Sequence, residues 1–173
     1  MPTRAKRPAK AAVRATRWLT EEEEATWRAF SYMMIKLPWA LERQLLRDAE
    51  LSLIEYYTLA RLSEDPEHTL RMSILAELTD SSLSRLSHLI KRLEARGLVR
   101  REPDPNDGRL TNAIMTKAGY ATLVASAPAH VETVRALLID ALSPAELRQL
   151  REAALRVGEI GRASCRERVF ITV

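Results

Sequence analysis

The sequence predicts a mainly α-helical fold with one small β-hairpin. Three observations predict it. Leu83, Leu86, Leu89, Ile90 and Leu93 recur at helical spacing; strand-like Leu98 to Glu102 and Thr111 to Met115 enclose a turn-rich stretch; and long helical patterns occupy both flanks. At 173 residues, with 46% hydrophobic and 5% aromatic residues, the chain is large enough for one well-buried domain and needs no second.

Taken in order, residues 1–17 contain Arg4, Lys6, Arg7, Lys10, Arg14 and Arg17 and no acid. Their Pro and Ala content and poor apolar periodicity favour a disordered leader over residues 1–19. An arm following DNA phosphates and a membrane-surface tether stay open as readings. Thr20-Glu21-Glu22-Glu23 has the form of a capping box, with acids at the positive end of the helix dipole. A long first helix should follow, carrying Ala25, Phe30, Met33, Met34, Leu37, Leu41 and Leu45 on its apolar face, and Pro38 should kink or break it. Ser52 is placed to cap a second helix, Leu53 to Leu62. Thr69-Leu70-Arg71 reads as a short strand pairing with the hairpin, and Ser73 as the cap of a third helix, Ile74 to Leu78.

The fourth helix should start near Asp80 to Ser82 and stop at Gly97, which tolerates the left-handed conformation that closes a helix. Its apolar stripe faces a core. Its other faces carry Ser82, Ser84, Arg85, Ser87, His88, Lys91 and Arg92, with no acid before Glu94. One reading is an ordinary solvated surface. The other is a surface that enters a DNA major groove, where small side chains allow close approach and hydroxyls and guanidinium groups donate to phosphates and base edges. Beyond it, Pro103, Pro105, Asn106, Asp107 and Gly108 make a turn, and Thr116-Lys117-Ala118-Gly119 opens another helix. The order helix, helix, hairpin is that of a winged helix-turn-helix. Apolar Leu123, Val124, Val131, Val134, Leu137, Leu138 and Leu142 extend the next helical pattern, with Pro128 as a kink. Ser143-Pro144-Ala145-Glu146 starts a last helix running to about Val157. These end helices offer more apolar face than the middle module can cover, which dimerisation would bury.

The chain resembles the MarR family of bacterial transcription regulators. The residues that carry the resemblance are Leu75-Ala76, Ser84-Arg85, Arg92-Leu93-Glu94-Ala95-Arg96-Gly97-Leu98-Val99-Arg100-Arg101, and Asp104-Pro105-Asn106-Asp107-Gly108-Arg109 through Thr116 to Gly119. Met115 stands where the family usually has Leu. The resemblance covers roughly residues 22–160 and implies a homodimer with the Ser82 to Arg96 helix in the major groove. Arg109 at the wing tip would reach the adjacent minor groove, where a narrow groove concentrates negative potential, with Asp107 holding its guanidinium or bracing the hairpin.

On that basis residues 20–160 form a single domain. Its DNA-binding lobe spans about 52–116, its dimerisation helices about 20–47 and 117–160, and residues 161–173 are a tail that is disordered or added in cloning. The resemblance also implies release from DNA by a small aromatic or phenolic effector, for which Phe30, Met34, Trp39, Tyr56 and Tyr57 are the matching residues. Aromatic and Met residues at helical spacing more commonly serve a core or dimer interface, and that reading of the five stays open. Some relatives sense oxidants through a cysteine in the first helix, where this chain has none.

No catalytic constellation, phosphate-binding loop or nucleophile elbow is present, and the chain is read as no enzyme, with no cofactor. His68, His88 and His130 lie far apart, and the single Cys165 forms no metal or redox motif. A formal net charge of +4 fits attraction to a polyanion. No run of about 18 apolar residues spans a membrane, and no secretory signal is seen, so a cytoplasmic protein is expected. The expected function is a sequence-specific, ligand-responsive repressor on a near-palindromic operator. The alternative is a winged-helix interaction or dimerisation module that does not bind DNA.

Overall fold

The computed structural model describes residues 16–168, with side chains through residue 158. The chain divides into two compact units between Lys36 and Leu37. The first contains residues 16–20, which form no regular element, and the start of α1 (Glu21–Ala49). Thr20 and Glu23 close the expected capping box: the Glu23 N–H donates to Thr20 Oγ1 at 3.2 Å, and the Thr20 N–H to Glu23 Oε2 at 2.9 Å. Pro38 lies inside α1 and does not end it.

The second unit holds the core. After α1 come α2 (Leu53–Ser63), β1 (Thr69–Arg71), α3 (Met72–Leu78), α4 (Leu83–Ala95), β2 (Val99–Pro103), β3 (Thr111–Met115), α5 (Lys117–Val134), a π-helical turn (Arg135–Ile139) and α6 (Pro144–Arg168). The strands form one antiparallel sheet in the order β1-β3-β2, with Leu70 opposite Ala113 and Arg101 opposite Ala113 on its other side. Leu45, Leu51, Leu59, Leu62, Leu75, Leu86, Ile90, Leu93 and Val99 pack beneath it as one buried cluster. Burying each such side chain contributes about 1.5–3 kcal/mol, so this cluster, rather than helix propensity, holds the short α3 and α4 in place.

Local chemistry explains where the elements stop. Ser52 caps α2 reciprocally with Glu55. The turn between α3 and α4 closes with Asp80 in the left-handed region at φ 48°, the Ser81 N–H donating to the Ala76 carbonyl and the Asp80 N–H to that of Glu77. At the end of α4, Gly97 at φ 69° repeats the motif: its N–H donates to the Glu94 carbonyl and that of Leu98 to the Leu93 carbonyl, both at 2.9 Å.

Four sequence expectations need correction. Ser73 does not cap α3; the helix starts two residues earlier than expected, at Met72, behind an extended Arg71 that makes no side-chain cap. Leu83, assigned to the apolar stripe, stands 57% exposed in the first turn of α4, ahead of the part of the helix that the core covers. The helical pattern expected through Leu142 is α-helical only to Val134, with Pro128 inside α5, and then becomes the π-helical turn, across which Arg135 pairs with Asp140. Finally, α6 runs to Arg168, beyond Val157 and into the stretch assigned to a tail. Gly158 and Gly161 cost only about 1 kcal/mol each relative to Ala, and the Arg, Glu and Ala residues around them are good helix formers. Residues 1–15 of the expected leader and 169–173 of the expected tail lie outside the described residues.

Candidate nucleic-acid interface

The site is built from α4 and the β2–β3 hairpin. Ser82 caps α4 by accepting from the Arg85 N–H at 3.3 Å. From there Ser82, Ser84, Arg85, His88 and Lys91 are exposed and Ser87 is half-buried, while Leu86, Leu89, Ile90 and Leu93 are buried. The two faces that the spacing separates are therefore separate in the fold. Arg92 is a partial exception: its Nε donates to Glu55 Oε1 at 3.1 Å, so it ties α4 to the start of α2 as well as lying at the surface. Sequence spacing gave no sign of this link, because its partner lies 37 residues away in another helix.

The hairpin is braced from within by Asp104, which is 7% exposed. Its Oδ1 accepts from the Asn106 and Asp107 N–H groups at 2.9 and 3.3 Å, and its Oδ2 from Arg71 Nε at 3.0 Å. Asp107 accepts from the Arg109 N–H at 3.0 Å. Of its two expected roles it takes bracing the hairpin, and no ion pair to the Arg109 guanidinium forms among the described residues. Arg101 joins wing to helix through Glu94, with Nη2 2.6 Å from Oε2. Between α4 and the wing lies a notch of about 310 Å³ whose walls include Arg71, Leu83, Ser87, Arg101, Arg109 and Thr111. Asp104 and Arg71 are the residues that sequence reasoning missed; the Asp before the turn, followed by Pro and Asn, was the available signal.

The carboxylates behind this frame are acidified. Burial pushes Glu55 up, but the Ser52 N–H, Arg92 and the Ser52 hydroxyl outweigh it and leave the group below its ordinary value. The Asn106 N–H leads the groups that lower Asp104, and Arg71 adds to it against the opposing effect of burial. A carboxylate depressed in the folded state stabilises the fold above its unfolded pKa, and that contribution is lost as pH falls through the folded value. Burial also holds His130 below its ordinary value, beside Tyr56 at 4.3 Å and Gln44 Oε1 at 3.1 Å. The unfolded chain then binds that proton more readily, so stability falls again as pH drops below about 6.5. Thermal unfolding from pH 7 to 3 should show Tm declining first below about 6.5 and further below about 4.5, with Glu55→Gln flattening the lower step. An unchanged lower step in Glu55→Gln would exclude this role for Glu55.

The residues expected to meet an effector are dispersed in environment. In the first unit Phe30 lies 6.3 Å from Trp27, and Met34 is exposed. In the second, Trp39 is exposed with Arg43 over its ring at 4.6 Å, Tyr57 is exposed, and Tyr56 belongs to the buried core. None of the five lines the notch. Among the described residues no His, Cys, Asp or Glu cluster could hold a metal, and no helix is long and apolar enough to cross a membrane.

A capped helix with a polar outer face, the helix preceding it and a braced hairpin define a winged helix-turn-helix protein of the DNA-binding class. A model of the MarR family matches residues 49–110. Sco3205, a MarR family transcriptional regulator from Streptomyces coelicolor whose structure is known in complex with DNA, is 41% identical. It aligns over 85% of this chain and 92% of its own, with a TM-score of 0.82. AbsC, another such regulator from the same organism, is 40% identical over 86% of this chain and 99% of its own, also at 0.82. CouR from Rhodococcus jostii RHA1, solved bound to p-coumaroyl-CoA, shares the fold at 20% identity, with a TM-score of 0.68 over 76% of this chain and 90% of its own. Curated proteins give no match. The chain belongs to the MarR family: it is a DNA-binding transcriptional regulator, not an enzyme.

Proposed function

We propose that this regulator is a homodimeric, ligand-responsive repressor that reads a near-palindromic operator. Residues of about 52–116 form its reading lobe, and the flanking helices join the two copies. The observation that carries the DNA reading is that α4, with Ser82, Ser84, Arg85, His88 and Lys91 exposed, and a wing whose Arg109 guanidinium has no partner among the described residues border the same notch. With Ser87 and Arg92 alongside, the α4 side chains would contact base edges and phosphates in the major groove, while Arg109, on a tip braced by Asp107, enters the minor groove.

Dimerisation is supported by apolar side chains left in solvent on the end helices. Trp27, Tyr32 and Ile35 are 54%, 64% and 68% exposed, and Val131, Leu155 and Val157 53%, 58% and 60%. Large apolar side chains exposed on each of the two units are surface that a second copy could cover. A small aromatic or phenolic effector is suggested by the p-coumaroyl-CoA bound to CouR; its candidate contacts are Phe30 and Met34 in the first unit and Trp39, Tyr56 and Tyr57 in the second, of which Tyr56 would have to leave the core.

The test is duplex binding as a function of salt. A DNA reader neutralising about six phosphates should lose roughly a thousandfold in affinity between 50 and 200 mM salt. Affinity independent of salt would favour a protein-interaction module and overturn the proposal.

A further inference from the structure

We propose that Arg71 is a further DNA-contacting residue, a phosphate anchor in the notch between recognition helix and wing, with Asp104 as its positioning residue. The inference deepens the DNA-reading proposal and rests on it. In duplex DNA the major and minor grooves are separated by a sugar-phosphate strand. A protein with α4 in one groove and Arg109 in the next must therefore let one strand pass between them. In this fold the space between them is the notch of about 310 Å³, walled by Arg71, Arg101 and Arg109 with the hydroxyls of Ser87 and Thr111.

The three arginines are not equivalent. Arg109 extends from the wing tip with no carboxylate partner among the described residues, which suits it for the groove beyond the strand. Arg101 shares its charge with Glu94, and both side chains are partly exposed, at 34% and 26%, so a phosphate would meet the acid as readily as the base. The Arg71 side chain is 46% exposed, whereas its partner Asp104 is 6% exposed and faces inward. Asp104 is also satisfied by the Asn106 and Asp107 N–H groups, which spread its charge over the hairpin turn. The buried carboxylate thus takes up Nε and leaves both Nη groups of a notch-lining arginine without a partner among the described residues. A guanidinium fixed from behind by a buried carboxylate loses little rotamer freedom on binding, and its planar fork suits a phosphodiester. β1, which carries Arg71, is hydrogen-bonded to β3 of the wing, so wing and anchor move as one body.

The experiment uses the full chain and a duplex selected from a random pool by the unaltered protein, with single phosphates replaced by neutral methylphosphonates. The unaltered protein should lose affinity at one phosphate in each half-site, the one between the two contacted grooves. Arg71→Gln should bind more weakly and be insensitive to neutralisation at that position. Its affinity should also fall about 12-fold less than that of the unaltered protein over a fourfold rise in salt, the loss expected of two phosphate contacts, one from each copy of the dimer. Asp104→Asn, which keeps the guanidinium, should bind more weakly at every salt concentration yet remain sensitive to that phosphate. If Arg71 only braces the wing, both variants break the same pair and will show the same phosphate profile, which overturns the proposal; so does an Arg71→Gln variant as sensitive as the unaltered protein. Circular dichroism melts of both variants show whether either has lost the fold, and the double variant Arg71→Gln/Asp104→Asn, free of an unpaired buried acid, should be as insensitive as Arg71→Gln. Salt-independent binding by the unaltered protein would instead defeat the DNA-reading proposal itself.

Discussion

Replacing Arg109 with Ala should weaken binding to a selected duplex by about 1–3 kcal/mol at matched salt, roughly 5- to 150-fold, with little change in folding stability. Two features set the expectation. The wing tip does not depend on the Arg109 side chain for its shape: Asp107 accepts from the Arg109 backbone N–H, the Leu110 N–H donates to the Asp107 carbonyl at 2.9 Å, and the Asp104 N–H to the Leu110 carbonyl at 2.9 Å. All of these bonds survive truncation to Ala. The guanidinium is an exposed cation on a rigid support, and such a group gains most when it moves into the negative potential of a narrow groove. The loss should be larger on A·T-rich flanks than on G·C-rich ones, because groove width differs between them. Fluorescence anisotropy titrations on both flanks measure it, and equal affinity for the variant and the unaltered protein would remove Arg109 from the interface.

Gly119→Ala should lower the free energy of unfolding by at least about 2 kcal/mol, near the upper range for overpacking. A Cβ built at this position would lie 2.1 Å from the Leu98 carbonyl oxygen and 3.0 Å from both the Leu98 carbonyl carbon and Met115 Cγ. The Met115 side chain can yield, but the Leu98 carbonyl is backbone and is already engaged. It accepts from the Thr116 N–H at 3.0 Å and from Thr116 Oγ1 at 3.2 Å, and Thr116 in turn caps α5 by accepting from the Gly119 N–H at 3.0 Å. Relieving the clash therefore means moving α5 off the base of the wing and losing a cap worth about 1 kcal/mol. Gly158 in α6 supplies the contrast, since nothing lies within 4 Å of its would-be Cβ; Ala there should be neutral or stabilise by up to about 1 kcal/mol. Denaturant titrations with an unchanged slope would measure both, and equal midpoints for the two variants would refute the close-approach explanation.

The backbone of the reading module was legible because its signals are local. Ser82, Gly97, Thr116 and the Ser143 box each act within three or four residues of themselves, and period 3.6 along Leu86, Leu89, Ile90 and Leu93 needs no knowledge of partners. What escaped was made by distant pairs or by a context the pattern does not encode. Arg92 with Glu55 spans 37 residues and Arg71 with Asp104 spans 33, so neither cation announces that its Nε–H is already taken. Leu83 fits the apolar period yet lies outside the core, because the helix has only begun there. His130 looked like an isolated ionisable group and proves to be a core residue between Tyr56 and Gln44. The π-helical turn had no signal, since Arg135–Ile139 has ordinary helix-forming composition. The exposure of the polar face of α4 was legible in the spacing, and the buried carboxylates behind it were not.

The measurement that bears most directly on the central claim is selection of bound duplexes from a random pool, followed by sedimentation of the complex on the selected sequence. A homodimer presenting two copies of α4 and the wing should enrich an inverted repeat with half-sites about one helical turn apart, and bind it as two chains per duplex. Recovery of no common sequence, or of a single half-site bound by one chain, would contradict it.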